Sequence, residues 1–118
     1  MSSALPQAIE RFLQAGNRHD TEAMLACFAE DQAAVADDGH EYRGLDAIKA
    51  WSDSVFIGAR VSVEVANIAR EESETVVSAI ITGDYPNGPY RFRFHFLLDD
   101  QSRILKLTIR EEKADTSN

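Results

Sequence analysis

The hydrophobic period of this chain changes once, near Arg60, and that change dictates which layers it can form. Before Arg60 apolar residues recur at helical spacing; after it they alternate one by one. Leu5, Ile9, Phe12 and Leu13 are separated by Gln7, Glu10, Arg11 and Gln14, which predicts an amphipathic first helix with Pro6 tolerated in its first turn. Gly16-Asn17 is expected to end it. Asp20 is placed to cap a second helix, because its carboxylate accepts orphan backbone N–H bonds, with Met24, Leu25 and Phe28 as the inner stripe. Glu30-Asp31 interrupts the pattern, and a short strand is expected around Ala33 to Asp37. Gly44 opens a third helix with Leu45, Ile48, Trp51 and Val55 inward.

Beyond Arg60, Val61, Val63 and Val65 alternate with Ser62, Glu64 and Ala66, the pattern of a half-buried strand. Glu74 to Tyr85 reads as a second strand and Pro86-Asn87-Gly88-Pro89 as a hairpin turn. Tyr90 to Leu98 follows, with Tyr90, Phe92, Phe94 and Phe96 on one face and Arg91, Arg93 and His95 on the other. Asp99-Asp100-Gln101-Ser102 is a further turn. Ile104 to Arg110 is the last strand, with Leu105, Leu107 and Ile109 alternating, and residues 111–118 read as a polar tail without ordered structure. Helices first and a strand meander second predict an α+β fold in the order α-α-β-α-β-β-β-β. In it, three helices pack against a curved antiparallel sheet, with room for a cavity between the layers. At 118 residues, with no repeat or linker, the chain is one domain spanning residues 1–118.

Twenty acidic residues against twelve basic ones give a net charge of -8. Phosphate binding needs clustered Lys and Arg, so this balance argues against nucleic acid and against an anionic membrane surface. No apolar run is long enough to span a bilayer. The single cysteine, Cys27, has no internal partner and reads as a buried structural thiol. With no apolar leader at the start, it points to a reducing cytoplasm. His19, His40 and His95 lack any short metal-ligand spacing, and no glycine-rich phosphate loop follows a strand, so neither a metal nor a nucleotide cofactor is expected.

The segment from Val35 to Trp51 concentrates the candidate chemistry. Asp37 ends an apolar strand and faces an aromatic on the following helix, a common way to set one charge at the edge of an apolar pocket. Desolvated by Trp51 and Phe28, it would act as a general base; alternatively it bonds turn N–H groups before Gly39, as Asp38 does. His40, in the loop before the third helix, either reaches the pocket mouth or stays in solvent. Tyr42 either offers a phenol there or packs on that helix. Phe12, Phe28, Val35, Trp51, Tyr85, Phe92 and Phe94 are the expected pocket lining, and only Trp51 and Tyr85 among them bring a polar group. On the opposite sheet face, Asp84 is expected beside Arg91, with Arg93 and His95 sharing that face, and Ile80 and Leu97 add apolar surface for a homodimer.

From about Leu5 to Arg110 the chain resembles the nuclear transport factor 2-like superfamily, specifically its SnoaL-like group. The resemblance is carried by Asn17-Arg18-His19-Asp20, Phe28-Ala29-Glu30-Asp31, Val35-x-Asp37, Gly44-x-x-Ala47-Ile48 with Trp51, and Phe94-His95-Phe96. It implies a cone-shaped fold and a cavity for a small, mainly hydrophobic molecule. Dimerisation through the outer sheet face is also implied. The superfamily hosts isomerases, cyclases, dehydratases, hydrolases and non-catalytic carriers, so the fold does not select an activity. Ketosteroid isomerases are similar around Asp37, which falls where their general base sits. The positions of their two oxyanion donors hold Phe12 and Phe94, which cannot donate a hydrogen bond. Loss of one such donor costs about 3–4 kcal/mol, so steroid-type isomerisation is not expected. Cofactor-free acid–base chemistry at Asp37 and a purely binding or protein-interaction role both stand.

Overall fold

The computed structural model describes residues 5–30, 32–85 and 89–111. The chain runs α1 (Gln7–Arg18), α2 (Thr21–Leu25), β1 (Ala34–Asp37), β2 (His40–Arg43), α3 (Leu45–Val55), a 3-10 turn (Ile57–Ala59), β3 (Ser62–Glu71), β4 (Glu74–Thr82), β5 (Tyr90–Leu98) and β6 (Ile104–Glu111). The six strands form one sheet in the order β2-β1-β6-β5-β4-β3. The predicted α+β layering holds, with two corrections. A strand, β2, occupies what was expected to be loop, so His40 and Tyr42 are strand residues. The sheet is also not wholly antiparallel: β1 runs parallel to β6, with Val35 beside Leu107 and Asp37 beside Ile109.

The β1–β2 hairpin turns on Asp38 and Gly39, whose φ values are 55° and 82°. Positive φ at both central residues is the turn whose twist matches a two-residue hairpin, and Asp-Gly is a preferred sequence for it. Asp37 therefore pairs directly with His40, and Val35 with Tyr42.

Helix α1 runs two residues past the predicted stop, closed by His19 in the left-handed conformation. Gly16 lies inside the helix because a ring, not a turn, requires it: a Cβ there would sit 2.9 Å from Phe56 Cζ. Asn17 is a splice rather than a break. Its amide donates to Val63 O at 3.0 Å and its Oδ1 accepts from Val63 N at 2.6 Å. His19 Nε2 lies 2.8 Å from Val61 O, so the end of α1 is stitched to the start of β3. Asp20 caps α2 as expected, accepting from Ala23 N at 3.1 Å.

The core lies between α1, α3 and the concave face of the sheet. Phe12, Phe28, Phe94, Phe96, Ile48, Leu107 and Val77 are fully buried in it. Two strand irregularities interrupt the alternation read from sequence. Val65, still in register on the face of Val63, is 40% exposed, and a bulge between Val65 and Asn67 shifts the register of the rest of β3. A second, at Leu97/Leu98, pairs Leu98 with Ile104, so Ile104 is buried and Leu105 only partly so. In α3, Val55 is 42% exposed and Phe56, just past the helix end, takes the inward place. The turn after Leu98 is built on Asp99, whose Oδ1 accepts from Gln101 N and Arg103 N, both at 2.9 Å. β4 ends at Thr82, so Tyr85 stands in the connection to β5, and β6 extends through Glu111. Residues 86–88 of the predicted Pro-Asn-Gly-Pro turn, Asp31, and residues 112–118 of the predicted tail lie outside the described residues.

Candidate functional site

Two aromatic contacts carry the core out to the surface. Phe56 stacks on Phe12 on one side, with centroids 5.4 Å apart, and on Trp51 on the other, at 5.1 Å. Trp51 is 3% exposed. Its indole N–H donates to Asp37 Oδ2 at 2.9 Å. The carboxylate at the end of β1 is thus oriented by the ring of α3 that sequence placed opposite it. Among the described residues that bond is the only one to the Asp37 side chain, and Oδ1 has no donor.

Asp37 and Trp51 stand in the wall of a cleft of about 900 Å³. Its apolar lining includes Trp51, Val55, Phe56, Ile81, Phe92, Phe94 and Ile109; Asp37, His40, Tyr42 and Tyr85 supply polar groups. The volume lies within the range of small-molecule sites. Tyr85 crosses its edge and donates its hydroxyl to Val55 O at 2.7 Å. Burial first, then the charges of Asp37 and Asp84, push its phenol up to about 12. At neutral pH the proton therefore stays on Tyr85, committed to the Val55 carbonyl.

Of the residues singled out from sequence, the fold gathers Asp37, His40, Tyr42, Trp51, Tyr85, Phe92 and Phe94 around one cleft. Phe12, Phe28 and Val35 are not among its lining; each is at most 1% exposed, inside the core behind it. Phe12 meets Phe28 and Phe96 edge-on as well as stacking on Phe56, so its volume is used by protein on every side. Phe28, bridged to Ile104, is not among the residues that line the cleft with Asp37. Phe56, Ile81 and Ile109 are lining residues that sequence reasoning missed. Alternation gave a signal for Ile81 and Ile109, since each shares the concave face; nothing local marked Phe56, which lies beyond the helical pattern.

The convex face departs from expectation at one residue. Asp84 pairs with Arg60, accepting from Nε at 2.9 Å and Nη2 at 3.1 Å, not with Arg91. β4 has ended before Asp84 and Arg91 faces Ile80, which puts the carboxylate beside the turn after α3 instead. The arginine holds the Asp84 carboxyl below the usual range. His95 Nδ1 lies 3.1 Å from Glu74 Oε1, a diagonal contact across β4 and β5. Cys27 is buried and its Sγ donates to Ala23 O at 3.4 Å; burial pushes the thiol up, against a weaker opposing pull from Arg11. This is the environment of an inert thiol. Among the described residues no three His, Cys, Asp or Glu are grouped to hold a metal ion, and no helix is long and apolar enough to cross a membrane.

The fold recurs among solved structures. A protein from Sinorhizobium meliloti, provisionally assigned as a polyketide cyclase, is 27% identical with a TM-score of 0.82, over 90% of this chain and 95% of that one. A Mycobacterium tuberculosis protein in complex with estradiol-17β-hemisuccinate is 18% identical with a TM-score of 0.73, over 86% and 88%. A computationally designed 17-OHP binder is 19% identical with a TM-score of 0.74, over 92% and 90%. No curated protein matches the chain. The family model of the SnoaL-like domain matches residues 9–100. The chain therefore belongs to the SnoaL-like domain family, within the nuclear transport factor 2-like superfamily.

Proposed function

We propose that this protein binds a small, mainly apolar organic molecule in the cleft beside Asp37. The observation that carries the reading is the cleft itself: about 900 Å³ walled by Trp51, Phe56, Ile81, Phe92 and Phe94, with one oriented carboxylate. A site of a few polar groups on an apolar wall fixes ligand orientation while burial supplies the affinity. The Sinorhizobium and Mycobacterium relatives support this choice of ligand class. Trp51 is the only tryptophan and lies in the wall, so its fluorescence reports occupancy directly. Titration with a panel of steroids and aromatic polyketides should shift its emission saturably. Val55→Phe, which bulks up an exposed lining residue, should weaken binding at least tenfold. A panel without saturable binders, or binding unmoved by that variant, would place the ligand elsewhere.

A second reading adds cofactor-free acid–base chemistry of the isomerase, cyclase or dehydratase type, with Asp37 as base and His40, Tyr42 or Tyr85 orienting the substrate. It is favoured by the uncommitted Oδ1 of Asp37 in an aromatic wall. It is opposed by the shortage of donors for a developing oxyanion. Phe12 and Phe94 have none, and the Trp51 and Tyr85 protons are already bonded within the protein. For any substrate identified, Asp37→Asn should abolish turnover and keep binding; undiminished turnover would end the catalytic reading.

The proposal includes a homodimer through the convex face, supported by Ile80 and Leu97 at half-buried positions there beside Arg91, Arg93 and His95. Light scattering should give twice the chain mass, and Leu97→Asp should return the monomer. The cytoplasm is the proposed location, testable by fractionation.

A further inference from the structure

The polar equipment of the cleft is one-sided, and this narrows the ligand further than shape does. Each hydrogen atom that Trp51 and Tyr85 could present is already given away, the indole N–H to Asp37 Oδ2 and the phenol to Val55 O. Among Asp37, Trp51 and Tyr85, what remains open is Asp37 Oδ1 and the lone pairs of the Tyr85 oxygen, which are acceptors only. The raised phenol of Tyr85 keeps its proton on the Val55 side throughout the neutral range.

Charge points the same way. Among the described residues, Asp37, Asp38 and Glu111 border the cleft, against a single permanent cation, Arg110. Arg110 pairs with Arg93 across β5 and β6 and is exposed, so alternation assigns its side chain to the convex face, away from Asp37. His40, opposite Asp37, and Tyr42 stand on the edge strand β2 and are the remaining donors at the border. The wall also holds the rings of Trp51, Phe92 and Phe94, whose π clouds attract cations; Phe56, covered on both faces by Phe12 and Trp51, offers only its edge.

We infer that the cleft selects ligands bearing a protonated amine on an apolar body. The ammonium would be held by Asp37 Oδ1 and the Tyr85 oxygen, with the body against the aromatic wall. The inference rests on the reading of the cleft as a ligand site and adds the charge of the ligand to it. An anionic ligand would be repelled by the Asp37 charge, and a neutral one could give Oδ1 at most a hydrogen bond without charge assistance.

Three probes of one skeleton separate the possibilities: 4-phenylbutylamine, 4-phenyl-1-butanol and 4-phenylbutyrate. Each is titrated against the full chain with Trp51 fluorescence excited at 295 nm, where a lone phenyl ring does not absorb. The amine should bind about fivefold more tightly than the alcohol and about tenfold more tightly than the carboxylate, increments typical of one partly exposed ion pair with an aromatic contact. Asp37→Asn should erase the preference for the amine while the alcohol still binds. Tyr85→Phe, which keeps the ring and removes the second acceptor, should reduce the preference and serves where Asp37→Asn fails to fold. Equal binding of amine and alcohol, tightest binding of the carboxylate, or an amine preference that survives both variants would overturn the inference and leave the cleft as a neutral or anion site. Failure of all three probes together with the steroid panel would remove the ligand site itself.

Discussion

Replacing Gly16 by alanine tests whether the aromatic stack is as tightly held as its geometry implies. Within a helix interior, alanine for glycine gains about 1 kcal/mol from backbone entropy. At Gly16 the new Cβ would lie 2.9 Å from Phe56 Cζ and 3.0 Å from its Cε2, inside ordinary van der Waals contact of 3.4–4 Å. A free ring would swing aside and the gain would show. This ring is not free: Phe12 covers one face and Trp51 the other, and Trp51 is tethered to Asp37. Overpacking of that kind costs about 1–3 kcal/mol. The balance is a net loss of about 1 kcal/mol, or about 3–5 °C in Tm for a domain of this size. Urea unfolding followed by the single tryptophan measures it, and the native emission should shift as Phe56 is pushed against Trp51. Phe56→Leu in the Gly16→Ala background should recover part of the loss, a coupling of about 0.5–1 kcal/mol. A Gly16→Ala protein as stable as the parent, or more so, would refute the clamp.

Asn17→Ala should destabilise the fold by about 2–3 kcal/mol in the same assay, because it strips both groups of Val63 of their partner at a half-buried junction; Asn17→Asp, which retains the acceptor, should cost less. Alkaline difference spectroscopy should show one tyrosine that ionises only near pH 12, and Tyr85→Phe should remove that step. The sign of its effect on stability follows from the raised value: the unfolded chain loses the phenol proton first, near 10, so stability is unaffected below that pH and falls as pH rises from about 10 to 12. A double-mutant cycle of Trp51→Phe and Asp37→Asn should give a coupling of about 1 kcal/mol, modest because the carboxylate is partly solvated; a coupling of zero would mean the indole does not hold it.

The layers of the fold were legible because they depend on periodicity, which sequence displays directly. Ile9, Phe12, Ile48 and Trp51 fall on helical stripes, and Phe94 and Phe96 on a strand stripe, and all six are buried. The opposition of Asp37 and Trp51 was legible for the same reason. What escaped was structure whose cause is not periodic. β2 is His-Glu-Tyr-Arg, an edge strand with too few apolar residues to signal itself; only its Asp-Gly turn marks it. The reassignment of Leu105 comes from a bulge, a one-residue shift that reverses which face follows. Gly16 and Asn17 look like a helix stop because both residues are usual in turns, yet each is fixed by a partner far along the chain, Phe56 and Val63. The division of the aromatics between cleft and core was hidden for a related reason. Phe12, Phe94 and Trp51 all face inward, and the rings of Phe28, Phe56 and Phe96 around Phe12 seal it off while the other two reach the cleft.

The position of Phe56 makes the cleft wall an extension of the core, through Phe12, Phe56, Trp51 and Asp37 in successive contact. Ligand affinity should then respond to a change at Gly16, which touches neither the cleft nor any ligand in it. Stability alone would not produce this, because a ligand that binds only the folded state sees an unchanged site as long as nearly all molecules are folded. A displaced Phe56 is different, since it moves the ring that holds Asp37. The comparison that isolates the effect is Gly16→Ala against Asn17→Ala, measured at low temperature where both are fully folded. Asn17 acts on the α1–β3 junction and not on the stack. Weakened binding in Gly16→Ala with parental binding in Asn17→Ala would show that the stack sets the shape of the site. Equal affinity in both would mean that the wall yields locally at Trp51 and that core and cleft are mechanically separate.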